Sequence, residues 1–424
     1  MKQTNAHPRE NSPEAILTQA AEALAVLRKT GCGLDDFLDQ YASSSLQRRR
    51  LSSLLFAYFR HKSVVDLAIS KCCSKAPQIE LQEFLAAALT MACRQDSLVP
   101  ESVVNIAVTA AKKRFNAAVG RFVNAVLRKS IKLIPELRVN PLPPAILRQW
   151  QQNFSPEDVQ SLAELFTIPP ASTVRLRYGF EFNNDPQLKP IELALPWKFY
   201  QCSQLKDLLS GADFQSGKYY IQDPAPGHVC ALLQQYHQLL PPELTMLDLC
   251  AAPGGKLIMN VELLSMLGLN LRRVIAFDRS PRRLELVREN CLRCNVQAET
   301  MAGDGADQRV LAGESFDLVT CDVPCSNSGV FRHRPDALWR WQLREMQEIT
   351  ALQQKILDNA ARLTAVDGVL LYSTCSLEKE ENTLQIHKFL SRNCGFELLE
   401  EKLFMPQSCC DGTYAAILHK KSGN

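Results

Sequence analysis

Two cysteines stand in short polar turns, each after an apolar segment with the pattern of a buried strand. Residues 316–321 lead into Asp322-Val323-Pro324-Cys325-Ser326, and residues 368–372 lead into Ser373-Thr374-Cys375-Ser376. A lone cysteine is most often a small buried hydrophobic residue. A thiol near a cation or a helix end instead gains thiolate character and becomes a strong nucleophile. Because both thiols follow strand ends, we interpret them as a candidate reactive pair.

A third turn, Cys250-Ala251-Ala252-Pro253-Gly254-Gly255-Lys256, follows the strand pattern of residues 246–249. Small residues and paired glycines let the backbone approach a ligand closely. The helix expected from Leu257 onward offers unpaired N–H groups to an anionic group. The spacing matches neither the phosphate loop nor the three-glycine dinucleotide motif, so the turn by itself indicates only a ligand-binding loop.

Two acidic residues follow the next predicted strands. Asp278 ends residues 274–277, where a carboxylate can accept hydrogen bonds from ribose hydroxyls, as in dinucleotide folds. Its alternative role is the N-cap of the helix that starts at Pro281, although Ser280 fits that position. Asp304, in Gly303-Asp304-Gly305, is placed to meet an adenine amino group or is an ordinary turn residue. Together with the glycine turn, these positions predict a cofactor that contains a nucleoside.

The elements that must position these residues alternate between strands and helices from Tyr219 onward. Helical patterns at 281–292 and 343–363 separate the strand patterns. Such alternation predicts an α/β domain over residues 218–424, with a doubly wound, Rossmann-like, mostly parallel sheet. Ligands of such sheets bind beyond the carboxyl ends of the strands, which is where all these turns lie.

The preceding chain has a different pattern. Residues 1–140 predict an all-helical bundle, because apolar residues such as Leu51, Leu54, Leu55 and Tyr58 recur at helical spacing. The run 140–144, Asn-Pro-Leu-Pro-Pro, cannot continue a helix and indicates a linker. We therefore assign residues 141–217 to a linker and a small α/β module.

Basic residues cluster near the end of the predicted bundle, although the formal net charge is only +3. The stretch from Ser102 to Pro135 contains no acidic residue, and Arg48, Arg49 and Arg50 form a second run. The basic residues of the longer stretch are Lys112, Lys113, Arg114, Arg121, Arg128, Lys129 and Lys132. Two interpretations stay open: solvated helix faces, or a surface for an RNA backbone.

The composition is that of an ordinary globular protein, with 46% hydrophobic and 22% charged residues. The polar start, Met1–Ser12, lacks the apolar core of a signal peptide, and no segment approaches the ~18 apolar residues of a membrane span. We therefore expect a soluble cytoplasmic monomer whose fifteen cysteines are reduced and which has no membrane partner. We also expect no metal site, because Cys291 and Cys294 have no second ligand pair at matching spacing.

The reactive turns resemble those of the RNA 5-methylcytosine methyltransferase family. The resemblance is carried by Gln222-Asp223, residues 247–256, Asp278 with Arg283-Leu284, residues 322–332 with Pro335-Asp336, and Thr374-Cys375-Ser376 with Glu381-Asn382. The N-terminal part resembles a NusB-like RNA-binding domain, at 56–69 and 122–128. The resemblance thus covers most of the chain. It indicates the branch of the family that modifies small-subunit (16S) ribosomal RNA.

The resemblance implies S-adenosylmethionine as the cofactor, held by residues 250–256, Asp278, Arg283, Asp304 and Asp322. It also implies that Cys375 attacks C6 of the cytosine and that Cys325 assists removal of the C5 proton and release of the enzyme. Asp322 is placed to hydrogen-bond the N3 and amino edge of the base. The charge of Lys256 favours the Cys375 thiolate.

The sequence departs from the family pattern in three loops. Prolines occupy two positions of Pro224-Ala225-Pro226-Gly227, Asn327-Ser328 replaces Gly-Thr or Ala-Thr, and Arg332-His333-Arg334 precedes Pro335. No reactive group is lost, so these departures bear on loop geometry and substrate. Two alternatives remain: an RNA-binding assembly factor without catalysis, because fold does not fix function, and the same chemistry on transfer RNA.

Overall fold

The computed structural model describes residues 12–42, 44–94 and 98–422. The chain divides into two compact units: residues 1–169 with 331–341, and residues 170–330 with 342–424. Residues 1–11, most of the polar stretch in which we expected no signal peptide, lie outside the described residues. Within the described ranges, no helix combines the length and the apolar character that a bilayer span requires.

Five of the described α-helices begin directly after a residue whose side chain caps the helix. Ser12 accepts a hydrogen bond from the Ala15 N–H, and Ser280 accepts one from the Arg283 N–H. The α-helices of the described residues are α1 (Pro13–Thr30), α2 (Leu34–Tyr41), α3 (Ser45–Cys72), α4 (Ile79–Arg94), α5 (Pro100–Arg114), α6 (Ala117–Leu133), α7 (Pro144–Asn153), α8 (Pro156–Leu165), α9 (Leu205–Ser210), α10 (Ala212–Gln215), α11 (Ala225–Ala231), α12 (Leu233–Tyr236), α13 (Gly255–Met266), α14 (Pro281–Arg293), α15 (Pro335–Arg340), α16 (Leu343–Leu363) and α17 (Thr383–Arg392).

The strands all lie in the second unit. They are β1 (Thr173–Leu176), β2 (Leu188–Ile191), β3 (Lys198–Cys202), β4 (Tyr219–Ile221), β5 (Glu243–Asp248), β6 (Asn270–Asp278), β7 (Glu299–Ala302), β8 (Phe316–Asp322), β9 (Thr364–Thr374), β10 (Phe396–Phe404) and β11 (Thr413–Lys420).

The first unit is helical in its described residues, which confirms the predicted bundle. Leu51, Leu54, Leu55 and Tyr58 are buried on one face of α3, in a core shared with α1, α4, α5 and α6. Residues 331–341 belong to this unit because the Phe331 ring packs on Trp150 and Phe166. The Trp339 indole N–H also donates to the Phe59 carbonyl, at 2.7 Å.

The basic stretch at 102–135 is partly neutralised by α1. Lys113 pairs with Glu14 at 2.7 Å, and Arg114 pairs with Glu22 at 2.5 Å. The sequence shows no acidic residue within this stretch, but the fold brings these carboxylates from elsewhere in the chain. Arg121 and Lys129 remain exposed. The surface therefore carries less net positive charge than the stretch alone indicates.

The second unit begins with a four-stranded sheet in the order β2-β3-β1-β4. Every pairing in it is antiparallel, and its fourth strand lies beyond residue 217, where we placed the end of the small α/β module. A buried ion triad ties this sheet to α13. Glu262 accepts from Arg175 and, at 2.5 Å, from Arg177, and the Arg175 side chain is fully buried.

The main sheet has seven strands in the order β10-β11-β9-β8-β5-β6-β7. Strands β9, β8, β5, β6 and β7 are parallel, and β11 pairs antiparallel with both β9 and β10. This confirms the predicted doubly wound, mostly parallel sheet. The chain runs outward from β5 through β6 to β7 and returns to β8 on the other side of β5. The switch point of the topology therefore lies between β5 and β8, where ligands of such sheets bind.

Candidate active site

The turns that carry the two candidate thiols follow neighbouring strands. β8 and β9 pair in parallel, with Cys321 opposite Tyr372 and Asp322 opposite Ser373. The turns after them therefore emerge side by side. The Sγ atoms of Cys325 and Cys375 lie 2.8 Å apart, and both residues are half-buried. The structure thus brings into contact two thiols that are fifty residues apart in the chain.

Asn327 completes this cluster from within the turn after β8. Its φ is 62°, a left-handed conformation that asparagine tolerates better than most residues. Its amide nitrogen donates to the Cys325 carbonyl at 3.0 Å, and its Oδ1 lies 3.4 Å from the Cys375 Sγ. The residue that departs from the family pattern therefore contacts both cysteines.

A buried carboxylate, Glu381, joins the two cysteine turns. It accepts hydrogen bonds from the Ser326 N–H, at 2.9 Å, and from the Ser326 hydroxyl. The Ser376 hydroxyl donates to it at 2.6 Å, and the Gln353 Nε2 donates at 2.8 Å. Because Ser326 and Ser376 each directly follow a cysteine, Glu381 fixes the separation of the two thiols.

The same turns also pack through their backbones. The Gly329 N–H donates to the Cys375 carbonyl at 2.9 Å, and the Ser328 hydroxyl accepts from the Leu377 N–H at 2.8 Å. A Cβ atom at Gly329 would meet the Gly412 carbonyl oxygen and would lie 2.9 Å from the Cys375 carbonyl oxygen. Glycine is therefore required for this close approach.

The two thiols have different environments. The hydrogen bond to Cys375, burial and the nearby Glu381 carboxylate hold the pKa of the Cys325 thiol well above its usual range. A backbone hydrogen bond from Asn327 opposes these effects without cancelling them. The Cys325 thiol is therefore neutral at neutral pH.

Asp322 and Lys256 form an ion pair beside the thiols. The Lys256 Nζ lies 2.6 Å from the Asp322 Oδ2, and the Ser373 hydroxyl donates to the Asp322 Oδ1 at 2.9 Å. Burial opposes the ammonium charge, but Asp322 and, more weakly, Cys375 raise the pKa of Lys256. The ammonium is thus stabilised between the glycine turn and the cysteine turns.

A second carboxylate lies beneath this pair. Asp248, the last residue of β5, is buried, and burial together with the charge of Asp322 raises its pKa to about 7. The charge of Lys256 acts in the opposite direction. At neutral pH the carboxyl group is therefore poised between its neutral and ionised forms.

The glycine turn leads directly into α13. Gly254 has a φ of 100°, which glycine adopts without steric cost, and no side chain caps the helix that starts at Gly255. The first N–H groups of α13 are therefore available to an anionic group. A Cβ atom at Gly255 would lie 2.8 Å from the Gln222 Nε2, so a larger residue would fill this space.

The acidic residues at the end of β6 and after β7 lie beside this turn. The Asp278 Oδ2 accepts from the Ala252 N–H at 3.1 Å, and the Arg283 Nη2 donates to the Ala252 carbonyl at 2.6 Å. The Gly303 N–H donates to the Asp278 carbonyl, which brings Asp304 to the same edge. Asp304 is exposed and its Oδ1 accepts from the Ala306 N–H at 3.0 Å, as in an Asx turn.

The remaining predicted residues of the glycine turn differ in exposure. Ala251 and Ala252 are buried, whereas Pro253 is exposed and its carbonyl accepts from Asn290 at 3.1 Å. Cys250 is half-buried, and burial keeps the pKa of its thiol well above the usual range. Cys250 is therefore a neutral packing residue of the turn.

Three further residues singled out in the sequence are buried. Arg332 is buried in the first unit, and its carbonyl accepts from Arg60 at 2.7 Å. Cys291 and Cys294 lie at the end of α14 and are buried in a hydrophobic core.

Sequence reasoning did not assign a site role to Asn327, Glu381, Gln353 or Asp248. The family motif contained Glu381, but its burial depends on α16 and α17 packing beside β9, which no local pattern shows. The sequence offered one indication for Asn327, because an asparagine between Ser326 and Ser328 is typical of a turn position with left-handed backbone conformation.

Two protein families match separate parts of this chain. Residues 238–419 match the family model described as 16S rRNA methyltransferase RsmB/F, and residues 16–132 match the NusB family. The chain joins an RsmB/F methyltransferase domain to a NusB-family domain. The RsmB/F domain contains both cysteine turns and the glycine turn, which confirms the family resemblance of the sequence.

Several curated relatives have the name ribosomal RNA small subunit methyltransferase B. Those of Erwinia tasmaniensis and Shewanella oneidensis are 39% and 36% identical over 42% and 46% of this chain. In these two alignments the chain spans 42% and 43% of the relatives' own length. The relative of Escherichia fergusonii is 28% identical over 91% of this chain and 92% of its own.

Two solved structures share the fold of most of this chain. A crystal structure of PH0851 covers 97% of this chain and 99% of its own, with a TM-score of 0.72 and 20% identity. The structure of NSun6 from Pyrococcus horikoshii with SFG covers 66% of this chain and 99% of its own, with a TM-score of 0.54 and 19% identity.

Proposed function

We propose that this protein transfers a methyl group from S-adenosylmethionine to C5 of a cytosine in RNA, through a covalent bond between Cys375 and C6 of the base. The observation that carries the proposal is the contact between the Cys325 and Cys375 thiols beside the Lys256–Asp322 pair. The names of the relatives support small-subunit (16S) ribosomal RNA as the substrate.

The residues at the switch point fit S-adenosylmethionine. The uncapped N-terminus of α13 suits the carboxylate of the methionine part, and Asp278 and Asp304 suit the ribose and the adenine. Arg283 holds the turn through the Ala252 carbonyl. When bound, the donor supplies an electrophilic methyl group on its sulfonium.

The chain's own residues prepare the base. Cytosine C5 is a poor nucleophile, and addition of the Cys375 thiolate to C6 makes C5 enamine-like, so that C5 takes the methyl group. The C5 proton then passes to Cys325, and the bond between C6 and the Cys375 Sγ breaks to restore aromaticity. Asp322 hydrogen-bonds the N3 and amino edge of the base, and the Lys256 ammonium favours the thiolate over the thiol.

The raised pKa of Cys325 supports this division of roles. Cys325 keeps its proton before the reaction, and the hydrogen bond with Cys375 is the largest cause of its raised pKa. When Cys375 becomes a thioether, that cause disappears. The pKa of Cys325 then decreases, so its thiol loses a proton to solvent more readily and becomes a base when the C5 proton must leave.

The base must leave its stack to reach these groups, at a cost of a few kcal/mol. Single-stranded loops reduce that cost and are the usual targets of sequence-specific RNA recognition. The NusB-family domain supports RNA contacts by the first unit, and backbone contacts of that kind position RNA without selecting a sequence. A monomer in the cytoplasm remains our expectation.

The proposal is tested by methyl transfer from tritium-labelled S-adenosylmethionine to small-subunit ribosomal RNA from a strain that lacks this gene. Bisulfite sequencing of the same RNA locates the modified cytosine. We expect label at one or a few cytosines of ribosomal RNA. Label in transfer RNA alone would keep the chemistry and change the substrate, and no label in any RNA would overturn the proposal.

A second candidate function is an RNA-binding assembly factor without catalysis, which the NusB-family match favours. It predicts RNA binding without donor binding. Calorimetric titration with S-adenosylmethionine separates the two candidates. A methyltransferase binds the donor, and the Gly255→Val variant, whose side chain would crowd Gln222, loses that binding.

A further inference from the structure

The helical unit contains a cavity of about 790 Å³ that lies outside the candidate active site. Residues of α3, α4 and α8, the end of α6 and the segment after it line this cavity. Its volume lies in the range of ~300–1,000 Å³ that is typical of sites for small organic ligands. The basic side chains of the 102–135 stretch do not line it as the structure describes it.

One side of the cavity is strongly basic. Arg60, His61 and Arg94 line it together, and Arg138 comes from the segment after α6. The Arg60 Nη2 donates to the Arg332 carbonyl, but its Nε is buried and has no hydrogen-bond partner within the described residues. A buried guanidinium N–H without an acceptor is costly and favours the arrival of an anion.

The basic side chains act on one another across the cavity, and the His61 imidazole is neutral at pH 7. Burial and then the charges of Arg94 and Arg60 lower the pKa of His61 to about 4, and burial and Arg332 lower the pKa of Arg60 to about 10. Among the lining residues that the structure describes, Glu164 supplies the carboxylate, and Gln160 already donates to it at 2.6 Å. The described lining therefore sets the arginines Arg60, Arg94 and Arg138 against the single carboxylate of Glu164.

The rest of the lining is apolar. Val64, Ile131, Ile134, Leu137 and Val139 form a surface beside the basic side chains. Inorganic phosphate would use only the basic side. A nucleotide has both parts, because its phosphate is anionic and its base is flat and largely apolar on its faces. Helix α3 also departs from helical geometry at His61, with φ −116° and ψ 16°, so the wall is not a regular helix surface.

We propose that this cavity binds one unstacked nucleotide of single-stranded RNA, with its phosphate beside Arg60, His61 and Arg94 and its base on Val64 and Ile131. The inference rests on RNA as the substrate in the proposed function and assigns the helical unit a defined binding site. RNA-binding proteins commonly hold splayed-out bases against side chains, most often aromatic rings or guanidinium planes.

The test measures binding of a fluorescein-labelled oligouridylate to the full chain by fluorescence anisotropy. Arg94→Gln removes a cation, and Gln160→Trp places an indole at the exposed rim. Each is expected to weaken binding about tenfold, the effect of losing one well-held base. Arg94→Gln should also reduce the slope of log K against log salt concentration by about 0.7, the value for one lost single-strand phosphate contact.

Matched controls are Gln160→Ala, which leaves the rim open, and Arg344→Gln, which removes an exposed arginine on α16. Both should bind as the unaltered chain does. Thermal unfolding of each variant checks its fold. Binding within twofold of the unaltered chain for both Arg94→Gln and Gln160→Trp would overturn the inference.

Competition distinguishes the ligand. Uridine monophosphate should displace the oligouridylate at a lower concentration than inorganic phosphate does; equal potency would overturn nucleotide binding. Methyl transfer separates this inference from the proposed function. If the chain methylates no RNA but the variants bind oligouridylate more weakly, the cavity is a nucleotide site and the proposed methyltransferase function is wrong. If the chain methylates RNA normally and the variants bind oligouridylate as the unaltered chain does, the proposed function stands and the cavity is not a nucleotide site.

Discussion

The Sγ atoms of Cys325 and Cys375 lie 2.8 Å apart, at the ends of neighbouring parallel strands. This contact is the largest cause of the raised pKa of the Cys325 thiol, and burial and the Glu381 carboxylate add to it. The contact depends on the positions of both turns to within a fraction of an ångström. The predictions below therefore address the groups that hold these turns, as well as the sulfur atoms.

Glu381→Gln should slow methyl transfer by about a hundredfold, because misplacing reacting groups by about an ångström has such effects. Glutamine offers one acceptor oxygen where Ser326, Ser376 and Gln353 all donate. Steady-state kinetics should show a lower kcat with a nearly unchanged KM for RNA. Glu348→Gln, at an exposed site of α16, is the control. A folding defect would also lower kcat, so thermal unfolding measures the folded fraction of each variant. Methyl transfer at the full rate by folded Glu381→Gln would contradict the role of Glu381.

Gly329→Ala should destabilise the RsmB/F domain by about 1–3 kcal/mol, the usual cost of overpacking. The added methyl group would meet Gly412 and the Cys375 carbonyl. Gly395→Ala is the matched control, because nothing lies within 4 Å of its Cβ position. Urea unfolding of both variants measures the difference. Equal midpoints for the two variants would show that the turns do not pack as described.

Glu262→Ala should lower the free energy of unfolding by about 3–5 kcal/mol, because it leaves buried guanidinium groups without their carboxylate. Both Arg175 and Arg177 donate to Glu262. Glu299→Ala breaks an exposed pair with Arg273 and should change stability by less than about 1 kcal/mol. Chemical denaturation checks both values, and similar losses in the two variants would contradict the buried triad.

Asp248 predicts a pH dependence of stability. Its pKa is raised from 3.8 to about 7, so between these pH values the folded state binds more protons than the unfolded state. The contribution of Asp248 to the free energy of unfolding therefore decreases as pH rises through this range, by up to about 1.4 kcal/mol for each pH unit. Above this range the contribution is constant. Asp248→Asn should remove this dependence. Parallel pH profiles of unfolding for both proteins would contradict the raised pKa.

The sequence predicted the strands and turns that carry the site because buried parallel strands and their polar ends leave local signals. Cys325, Cys375 and Asp278 all follow such ends. The order of the strands was not predictable in this way, because pairing β8 with both β5 and β9 depends on packing over long chain distances. Three other features also depend on packing between distant parts of the chain and leave no local signal. They are the burial of Glu381, the place of residues 331–341 in the first unit, and the α1 carboxylates opposite Lys113 and Arg114.

The central claim is tested most directly by incubating Cys325→Ala, Cys375→Ala and the double variant with substrate RNA and S-adenosylmethionine, followed by denaturing electrophoresis. The account predicts a protein–RNA adduct that survives denaturation with Cys325→Ala, because the methylated base stays bonded to Cys375. Neither variant that lacks Cys375 should give adduct or methyl transfer. An adduct or full methyl transfer with Cys375→Ala would contradict the account.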